Sequence, residues 1–341
     1  EDGQAAPLWR EVTMGVSDNR LTFQQNFLAG GFAGIFSRTT TSPLDVVKIL
    51  AQVGTADTQQ GFLRTFSSVY RAEGLRAFWK GNTIACVRLF PFNGVQFSVF
   101  QKVKNLLASP DGNVSNTASL LAGGIGGVAA ASLTYPLDLV KTRLTVQRVG
   151  GEGRVYKNSL DCARQIVQRE GVRALYRGLI PTLMGVFPFA GLTFMGYDIV
   201  QKLWGKNKNE LNPIESFLSG CVAGAFSQTF TFPFDVIKKK LQASGFGDAS
   251  GKSGVVGRYD GVIHCVKSVI QKEGIFGLWR GTTANLAKLV PYAGLMFLSF
   301  EVVKHFFLWQ NGYVDSMFKN PLVRATPKST SEPSSSSQSS S

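Results

Sequence analysis

The chain has 341 residues, 44% of them hydrophobic, and a formal net charge of +14 at pH 7. That charge suits an anionic lipid headgroup, a small anion or a nucleic acid, but no zinc-finger motif, RNP-like motif or basic block with interleaved aromatic residues is present, so we expect no nucleic-acid partner. The four cysteines show no CxxC spacing, the two histidines are isolated, and no catalytic triad or carboxylate pair is recognisable, which argues against a metal site, a cofactor and an enzyme.

The first predicted elements are long apolar segments that also contain polar groups. Residues 1–20 form an N-terminal extension that we expect to be disordered, and the apolar stretches 27–36, 119–135 and 216–232 follow along the chain. These stretches belong to segments close to the ~20 residues that a helix needs to cross a bilayer core. Ser, Thr and Gln lie within or beside them, and Arg38 adds a full charge, which favours helices that line a water-filled cavity over helices that face lipid.

Four sequence markers recur in constant order. The motif SPLDVVK at 42–48 closes the first apolar stretch with a proline, an aspartate and a lysine, and YPLDLVK at 135–141 and FPFDVIK at 232–238 repeat it. A Gly-x-x-x-Gly pair lies upstream of each copy and two motifs lie downstream. They are Gly30/Gly34, Gly123/Gly127 and Gly220/Gly224; EGLRAFWKG (73–81), EGVRALYRG (170–178) and EGIFGLWRG (273–281); and RLFPFNG (88–94), GVFPFAG (185–191) and KLVPYAG (288–294). This regularity indicates a tandem triplication.

The triplication predicts the domain organisation. Repeat 1 covers 21–111, repeat 2 covers 112–209, repeat 3 covers 210–312, and the Ser-rich tail at 313–341 is expected to be disordered. Each repeat should contain a long helix that bends at its proline, a short amphipathic helix at the membrane surface, and a second long helix packed through small residues. In repeat 1 these helices run over 23–52, 62–74 and 82–107. The sequence therefore predicts an all-α membrane protein with six spanning helices.

The charges beside the three prolines need partners. An ionised Asp or Lys in the hydrocarbon region costs about 2.5–3.5 kcal/mol on insertion scales. Each Asp and Lys could pair within its own repeat, or each Asp could meet the Lys of the next repeat. In the second case the pairs are Asp45–Lys141, Asp138–Lys238 and Asp235–Lys48. Charge considerations alone leave open whether such a closed series is a gate that can open or a structural brace.

The pattern P-x-[DE]-x-x-[KR] followed by [DE]-G-x4-aromatic-[KR]-G, present three times between residues 23 and 308, resembles the mitochondrial carrier family (solute carrier family 25). The resemblance implies a pseudo-threefold six-transmembrane-helix bundle with three short matrix-side surface helices. It implies transport of a small-molecule anionic substrate by alternating access between a cytoplasmic-side and a matrix-side open state. We also expect a monomeric, multi-pass protein of the mitochondrial inner membrane with both termini on the intermembrane-space side.

The resemblance assigns two gates. On the family pattern the matrix gate consists of Asp45, Lys48, Asp138, Lys141, Asp235 and Lys238. Gln52 and Gln242, each nine residues after its proline, match the family's glutamine braces over that gate, whereas Thr145 occupies the equivalent position in repeat 2.

The cytoplasmic gate of the family has the pattern [FY]-[DE]-x-x-[KR], and only the third copy is intact here. Its six positions are Gln101, Lys104, Asp198, Gln201, Glu301 and Lys304. One full ion pair, Lys104–Asp198, is expected, and the other two contacts are reduced to hydrogen bonds. We therefore predict that the cytoplasmic gate is the weaker one and that the cytoplasmic-open state is the more populated at rest.

The markers with the aromatic-[KR]-G ending resemble the family's cardiolipin sites, where backbone amides at a helix N-terminus and a basic side chain bind an anion. The residues are Lys80, Gly81, Arg177, Gly178, Arg280 and Gly281. A turn with interfacial aromatic residues explains the same motif equally well, and both interpretations stay open.

Symmetric positions should build the machinery and asymmetric positions should recognise the solute, because a small molecule lacks threefold symmetry. The aligned column Arg88, Gly185 and Lys288 offers two cations and a gap, which indicates an anion with a flat or bulky part. By resemblance these are the family's substrate contact points, and Gly185 followed by Val186 is similar to carriers of adenine nucleotides and coenzyme A. Arg38 adds another cation, aligned with Ala131 and Gln228.

Three functions follow from these residues. The leading one is transport of a phosphorylated, nucleotide- or coenzyme-A-like anion, by exchange or by uniport. The KKKLQ run at 238–242 departs from the RRRMMM run of ADP/ATP exchangers, which argues against a plain ADP/ATP exchanger. The alternatives are a carrier of a smaller carboxylate, and a carrier-shaped adaptor that no longer transports.

Overall fold

The computed structural model describes residues 21–54, 62–107, 116–147, 155–204, 213–244 and 259–312. The predicted N-terminal extension and Ser-rich tail lie outside these described residues. Within them the chain forms ten α-helices and three short 3₁₀ helices, so the prediction of an all-α fold is confirmed.

Repeat 1 contains four α-helices. They are α1 (Phe23–Thr40), α2 (Ser42–Val53), α3 (Phe62–Glu73) and α4 (Asn82–Leu106), with a 3₁₀ helix at Leu75–Trp79. The predicted single long helix of this repeat is interrupted at Thr41, and α2 restarts with Pro43 in its first turn, where the missing N–H of proline costs nothing.

Repeats 2 and 3 each contain three α-helices, because their first long helix continues through its proline. Repeat 2 has α5 (Asn116–Val146), α6 (Ser159–Glu170) and α7 (Leu179–Trp204), with a 3₁₀ helix at Val172–Tyr176. Repeat 3 has α8 (Pro213–Ala243), α9 (Val262–Glu273) and α10 (Thr282–Gln310), with a 3₁₀ helix at Ile275–Trp279.

A proline inside a helix leaves the carbonyl four residues earlier without its usual donor. In repeat 1 that carbonyl belongs to Thr39, and the indole N–H of Trp79 donates to it at 3.0 Å. In repeat 3 it belongs to Thr229, and the indole N–H of Trp279 donates to it at 2.9 Å. The aromatic residue of the downstream marker therefore satisfies the backbone group that the proline leaves free.

Small hydrophobic clusters join each surface helix to the helix that precedes it. Cys162 and Ile166 of α6 pack in one cluster with Leu139 and Val140 of α5. In a second cluster, buried residues of α9 pack against Ile237 of α8. These contacts hold the amphipathic helices at one end of the long helices.

Three segments of the described chain are long and apolar enough to cross a membrane by length and composition. They are Ala118–Val146, Val172–Val200 and Ile275–Gln310.

The chain divides into two compact units. Of the described residues, 21–33 and 297–312 belong to unit 1, and those between 34 and 296 belong to unit 2. In unit 1 the side-chain amides of Gln25 and Asn311 donate to each other's oxygens at 3.0 Å, which joins the start of α1 to the residue after α10. The candidate site described next lies in unit 2.

Candidate functional site

Three ion pairs connect α2, α5 and α8 in a closed series. Lys141 Nζ lies 3.4 Å from Asp45 Oδ2, Lys238 Nζ lies 2.8 Å from Asp138 Oδ2, and Lys48 Nζ lies 3.7 Å from Asp235 Oδ2. Each aspartate thus contacts the lysine of another repeat rather than the lysine of its own motif. We call the surroundings of the three carboxylates the Asp45, Asp138 and Asp235 corners.

The Asp138 corner carries the most positive charge. Besides Lys238, Lys239 Nζ lies 3.5 Å from Asp138 Oδ2, and Arg88 Nη1 lies 3.5 Å from Asp138 Oδ1. The carboxylate side chain is only 7% exposed. Three cations surround one buried carboxylate at this corner. Because one of them would neutralise the single negative charge, the corner carries excess positive charge.

An amide network completes the Asp138 corner. Gln242 Nε2 donates to Asp138 Oδ2 at 3.0 Å, and its Oε1 accepts from Thr142 at 2.7 Å and from Lys239 at 2.9 Å. Gln242 therefore occupies the position over the ion pair that the family pattern assigns to a brace. Its side chain is fully buried, so every polar atom of the network needs such a partner.

The Asp45 corner has two cations and no amide. Lys288 Nζ lies 2.6 Å from Asp45 Oδ1, on the opposite carboxylate oxygen from Lys141. Thr145, at the position of the missing brace, donates its hydroxyl to the carbonyl of Lys141 at 2.8 Å. The threonine thus satisfies its own helix and does not replace the glutamine.

The Asp235 corner is the most open of the three. Its side chain is 39% exposed, against 17% for Asp45, and Lys48 is its only ion-pair partner among the described residues. Gln228 Nε2 donates to Asp235 Oδ2 at 2.9 Å. Gln52, the predicted brace of this corner, is fully buried with neither amide atom hydrogen-bonded.

Two of the three predicted substrate cations contact carboxylates of the ion-pair series. Arg88 contacts Asp138 and also donates from Nε to Thr134 at 3.2 Å, while Lys288 contacts Asp45. Each also lies over an aromatic ring of its own helix, Arg88 over Phe92 at 5.1 Å and Lys288 over Tyr292 at 4.9 Å. Each of these two cations therefore contacts both a carboxylate and an aromatic ring.

Arg38 differs from these two cations. No ion pair of its guanidinium is present among the described residues, and its Nε is buried without a hydrogen-bond partner. An unpaired guanidinium in a membrane helix is expensive, which makes it a candidate anion site.

Gly185, the position in repeat 2 where the aligned column has no cation, faces the neighbouring helix α8. A Cβ added to Gly185 would lie 3.5 Å from Cβ of Phe234, an ordinary contact. Val186 lies on the other side of α7, where its Cγ1 would be 3.8 Å from a Cβ at Gly127. The glycine therefore packs against Phe234, the residue before Asp235, and adds no side chain of its own between α7 and α8.

The glycine of each downstream marker contacts the next repeat's gate lysine. Gly81, Gly178 and Gly281 have φ values of +71°, +86° and +91°, which favour glycine. A Cβ at these positions would lie 3.0–3.3 Å from the backbone carbonyls of Lys141, Lys238 and Lys48 respectively. Only glycine allows this approach of the surface loop to the ion-pair series.

The basic residue of each downstream marker is paired with the marker's glutamate. Lys80 binds Glu73, Arg177 binds Glu170 at 2.7 Å, and Arg280 binds Glu273 at 2.9 Å. Lys80 is also buried and donates to the carbonyl of Gln147 at 2.7 Å. These cations are therefore committed inside the protein, and the backbone N–H groups at the starts of α4, α7 and α10 remain as the anion-binding feature of the predicted lipid sites.

Among the described residues, the ion pair found for the predicted cytoplasmic-gate positions joins two residues of one helix, Lys304 and Glu301. In unit 2, Lys104 and Asp198 form no ion pair with any described residue, and the side chain of Gln201 lies outside the described residues. In unit 1, Lys304 Nζ lies 3.7 Å from Glu301 of its own helix. Gln101 is half-buried on α4.

Sequence reasoning missed four residues of this region: Lys239, Gln228, Arg143 and Lys240. Arg143 and Lys240, two residues after the gate lysines, bind Glu170 and Glu273 of the following surface helices. The shared spacing of these two basic residues could have identified them. No sequence signal distinguishes Lys239 or Gln228, because their aligned residues in the other repeats differ in type.

The thiols of the surface helices are shielded. Burial raises the pKa of Cys162 and of Cys265 from 9.0 to about 12, and burial also raises the pKa of Tyr259 to about 12. Protonated thiols are poor nucleophiles, so these two cysteines are packing residues of α6 and α9.

The comparisons with known proteins agree on one family. The profile described as "Mitochondrial carrier protein" matches residues 19–111, 112–208 and 209–311. Solute carrier family 25 member 43 of Danio rerio is 42% identical over 299 residues, 88% of this chain and 86% of that protein. The Arabidopsis thaliana adenine nucleotide transporter BT1 is 37% identical over 84% of this chain and 71% of its own length. A human mitochondrial adenyl nucleotide antiporter is 32% identical over 82% of this chain, which spans 57% of the antiporter.

Proposed function

The chain belongs to the mitochondrial carrier family, and on that premise we propose that it moves a phosphorylated nucleotide- or coenzyme-A-like anion by alternating access. Family membership makes it a multi-pass transporter of the mitochondrial inner membrane with a small-molecule substrate, and not an enzyme. The identity of the solute is the new part of the proposal.

The observation that carries the proposal is a set of three cations, two of them at the ion-pair series and one without an ion-pair partner among the described residues. Arg88 and Lys288 each contact a gate carboxylate, while Arg38 has no ion-pair partner among the described residues. Arginine forms bidentate bonds to phosphate and lysine acts as a point charge. Three cations of this kind suit several phosphate charges better than a single carboxylate.

Arg38 is the cation that first attracts the solute in this scheme. It is unpaired, so a phosphate gains its charge without displacing a protein carboxylate. Arg88 and Lys288 must instead leave Asp138 and Asp45 to bind phosphate. The competition removes one positive partner from each of two gate carboxylates and weakens the closed series, so that substrate binding favours opening.

The adenine-nucleotide preference draws support from two observations. Two of the relatives, at 37% and 32% identity, are described as adenine nucleotide and adenyl nucleotide transporters. Gly185 presents no side chain next to Phe234, so a flat ring that approached this position would meet an aromatic side chain. A small dicarboxylate has no ring to make that contact.

The resting state in this proposal is cytoplasmic-open. The three ion pairs of the proposed matrix gate are formed, whereas Lys104 and Asp198 make no ion pair among the described residues. Cysteine-accessibility labelling of the cavity from each side of sealed vesicles measures which state is more populated, and a cavity labelled mainly from the matrix side would contradict the proposal.

We further propose that both termini lie on the intermembrane-space side and that the carrier is monomeric. Cardiolipin would bind at the starts of α4, α7 and α10, through backbone amides rather than through the paired Lys80, Arg177 and Arg280.

Thermal unfolding of the purified protein tests the substrate class, because a ligand that binds only the folded state raises Tm. We expect ATP, ADP and coenzyme A to raise Tm and dicarboxylates to leave it unchanged, with matching uptake into liposomes loaded with the same solutes. Arg38→Gln, Arg88→Gln and Lys288→Gln should abolish the ligand-induced shift. Lys267→Gln, on the exposed face of α9, is the matched control and should keep it. A shift with dicarboxylates alone would replace the nucleotide by a carboxylate, and a shift with no solute together with no uptake would favour an adaptor.

A further inference from the structure

Each gate carboxylate receives a second donor in addition to the lysine of the closed series. Lys288 donates to Asp45 at 2.6 Å, Arg88 contacts Asp138 at 3.5 Å, and Gln228 donates to Asp235 at 2.9 Å. The first two donors are the proposed phosphate ligands. The third is a neutral amide, and it stands at the one corner where the aligned contact position, Gly185, supplies no cation.

We propose that Gln228 reads the hydrogen-bonding edge of an adenine ring in the solute. This inference rests on the proposed transport of an adenine-containing anion and names a residue that specifies the base. The argument has three steps, which concern the orientation of the amide, its location and its chemical match.

The orientation of the amide is set by Asp235. An ionised carboxylate only accepts hydrogen bonds, so the NH₂ group of Gln228, and not its oxygen, must face Asp235. One N–H of that group is used by the carboxylate. The second N–H and the carbonyl Oε1 are then available to another hydrogen-bonding group. The amide of Gln228, held by Asp235, thereby offers one donor and one acceptor.

The location is the most accessible part of the ion-pair series. The Asp235 side chain is 39% exposed, whereas that of Asp138 is 7% exposed. Gly185 packs against Phe234, the residue before Asp235, and adds no charge or side chain at this corner. A ring that reached the exposed part of Asp235 would therefore lie beside the amide of Gln228. Arg38, the proposed first phosphate ligand, occupies the aligned position of Gln228 in repeat 1.

The chemical match is that of a glutamine with adenine. A glutamine side chain forms two hydrogen bonds with adenine, accepting from the 6-amino group and donating to the adjacent ring nitrogen. Arg and Lys have no acceptor and cannot form this pair. In this scheme Arg88 and Lys288 bind the phosphates, and the amide of Gln228 binds the base.

The experiment compares three probes on the purified full chain. They are ATP, purine riboside 5′-triphosphate, which lacks the 6-amino group, and tripolyphosphate, which lacks the base. Dissociation constants are measured by thermal shift and by competition with labelled ATP uptake into liposomes. The wild-type protein should bind ATP at least about fivefold more tightly than the analogue without the amino group.

The variant Gln228→Met keeps the length of the side chain and removes the amide. It should bind ATP and the amino-free analogue equally, while its affinity for tripolyphosphate stays at the wild-type value. Gln228→Asn keeps the amide but shortens its reach and should lose the same preference, which covers the case in which the methionine variant does not fold. Gln96→Met, a half-buried glutamine on α4, is the control and should keep the preference for ATP.

The outcomes separate the inference from the function on which it rests. If no triphosphate binds the wild-type protein, the proposed substrate class is wrong, and the inference with it. If the wild-type protein binds ATP and the amino-free analogue equally, or if Gln228→Met keeps the preference, the nucleotide carrier stands and the role of Gln228 is overturned. If Gln228→Met weakens tripolyphosphate as strongly as ATP, the residue acts through the charge of Asp235 and the base-reading role is likewise overturned.

Discussion

The Asp138 and Asp235 corners arise from the same motif but differ in burial and in the number of cations that surround the carboxylate. Asp138 is 7% exposed and lies within 3.5 Å of three cations, and Gln242 donates to it at 3.0 Å. Asp235 is 39% exposed, has Lys48 at 3.7 Å, and accepts from Gln228 on its own helix.

The neighbouring basic residues extend the same difference. Arg143, near the Asp138 corner, is fully buried and donates to the carbonyls of Gln242 and Ser244 at the end of α8. Lys240, near the Asp235 corner, donates to a single carbonyl, that of Val53 at the end of α2. The comparison teaches that threefold repetition of a motif does not make the gate symmetric. The α2–α8 contact is expected to open more easily than the α5–α8 contact.

The largest effect is expected when the negative charge of each carboxylate is removed. Asp138→Asn leaves Lys238, Lys239 and Arg88 around a neutral amide, and breaking a buried ion pair in this way costs about 3–5 kcal/mol. Asp235→Asn removes a partly exposed carboxylate from a long contact, for which about 0–1 kcal/mol is expected. Thermal unfolding of the purified variants measures both changes.

Asp260→Asn is the matched control for these two variants, because that aspartate is 80% exposed beside α9. It should leave Tm and liposome uptake unchanged. Equal losses of Tm for Asp138→Asn and Asp235→Asn would show that the two corners are equivalent.

A second test uses the two glutamines and predicts effects of opposite sign. Gln242→Met removes hydrogen bonds to Asp138, Thr142 and Lys239 and should destabilise the fold by about 1–3 kcal/mol, because it leaves buried polar partners unsatisfied. Gln52→Met replaces a buried amide that has no hydrogen bond and should be neutral or stabilising. Tm of both variants decides the matter, and a loss of stability in Gln52→Met would mean that this glutamine does act as a brace.

A third test removes the additional cation, Lys239, that distinguishes the Asp138 corner from the other two. Lys239→Ile introduces the residue that repeat 1 has at the aligned position, Ile49, and leaves Lys238 and Arg88 on the carboxylate. We expect a loss of stability of about 1 kcal/mol and a rise in maximal uptake of up to about fivefold, because opening breaks fewer contacts. Lys267→Ile on the surface of α9 controls for the lost charge. Slower uptake with unchanged Tm would contradict the expectation.

The smallest effect concerns the two buried thiols. Burial raises the pKa of both Cys162 and Cys265 to about 12, so at pH 8 a maleimide reacts with them only when α6 or α9 opens. Because α9 is joined to the looser corner through Lys240, Cys265 should be labelled faster than Cys162, about fivefold for each kcal/mol of difference in opening. Cys162→Ser and Cys265→Ser assign each rate by mass spectrometry, and faster labelling of Cys162 would reverse the proposed order of opening.

The same thiols predict a pH dependence. Their folded pKa lies above the value of 9.0 for an unfolded thiol, so the stability gained by burying them is complete below pH 9. It is lost as the pH rises toward 12, and Tm of the wild-type protein should fall over that range more steeply than Tm of the two serine variants.

Much of the architecture could be predicted because the repeated markers are local. The long helices that contain the prolines and the short surface helices follow from residues within one repeat. The charges alone left open whether each Asp pairs within its own repeat or with the next one, and the structure has the pairs between repeats. The interruption of the first helix at Thr41 could not be predicted, because the same proline is continuous with its helix in the other two repeats.

The strength of each corner could not be predicted from the motif. Lys239 has no equivalent charge in the other repeats, and its bond to Thr142 depends on the approach of α5 to α8. Gln52 and Gln242 occupy equivalent positions, yet only Gln242 reaches a carboxylate. Differences of this kind arise from which atoms come within hydrogen-bond distance across separate helices.

By itself the sequence determined that this protein has three copies of one helical unit, with an acid and a base beside each proline and an asymmetric set of cations near them. Only the tertiary structure decided that Arg88 and Lys288 bind carboxylates of the ion-pair series and that the three corners are unequal. The physical reason is range: periodicity and spacing act along a few turns of one chain segment, whereas ion pairing and burial are set by side chains that approach one another from different repeats.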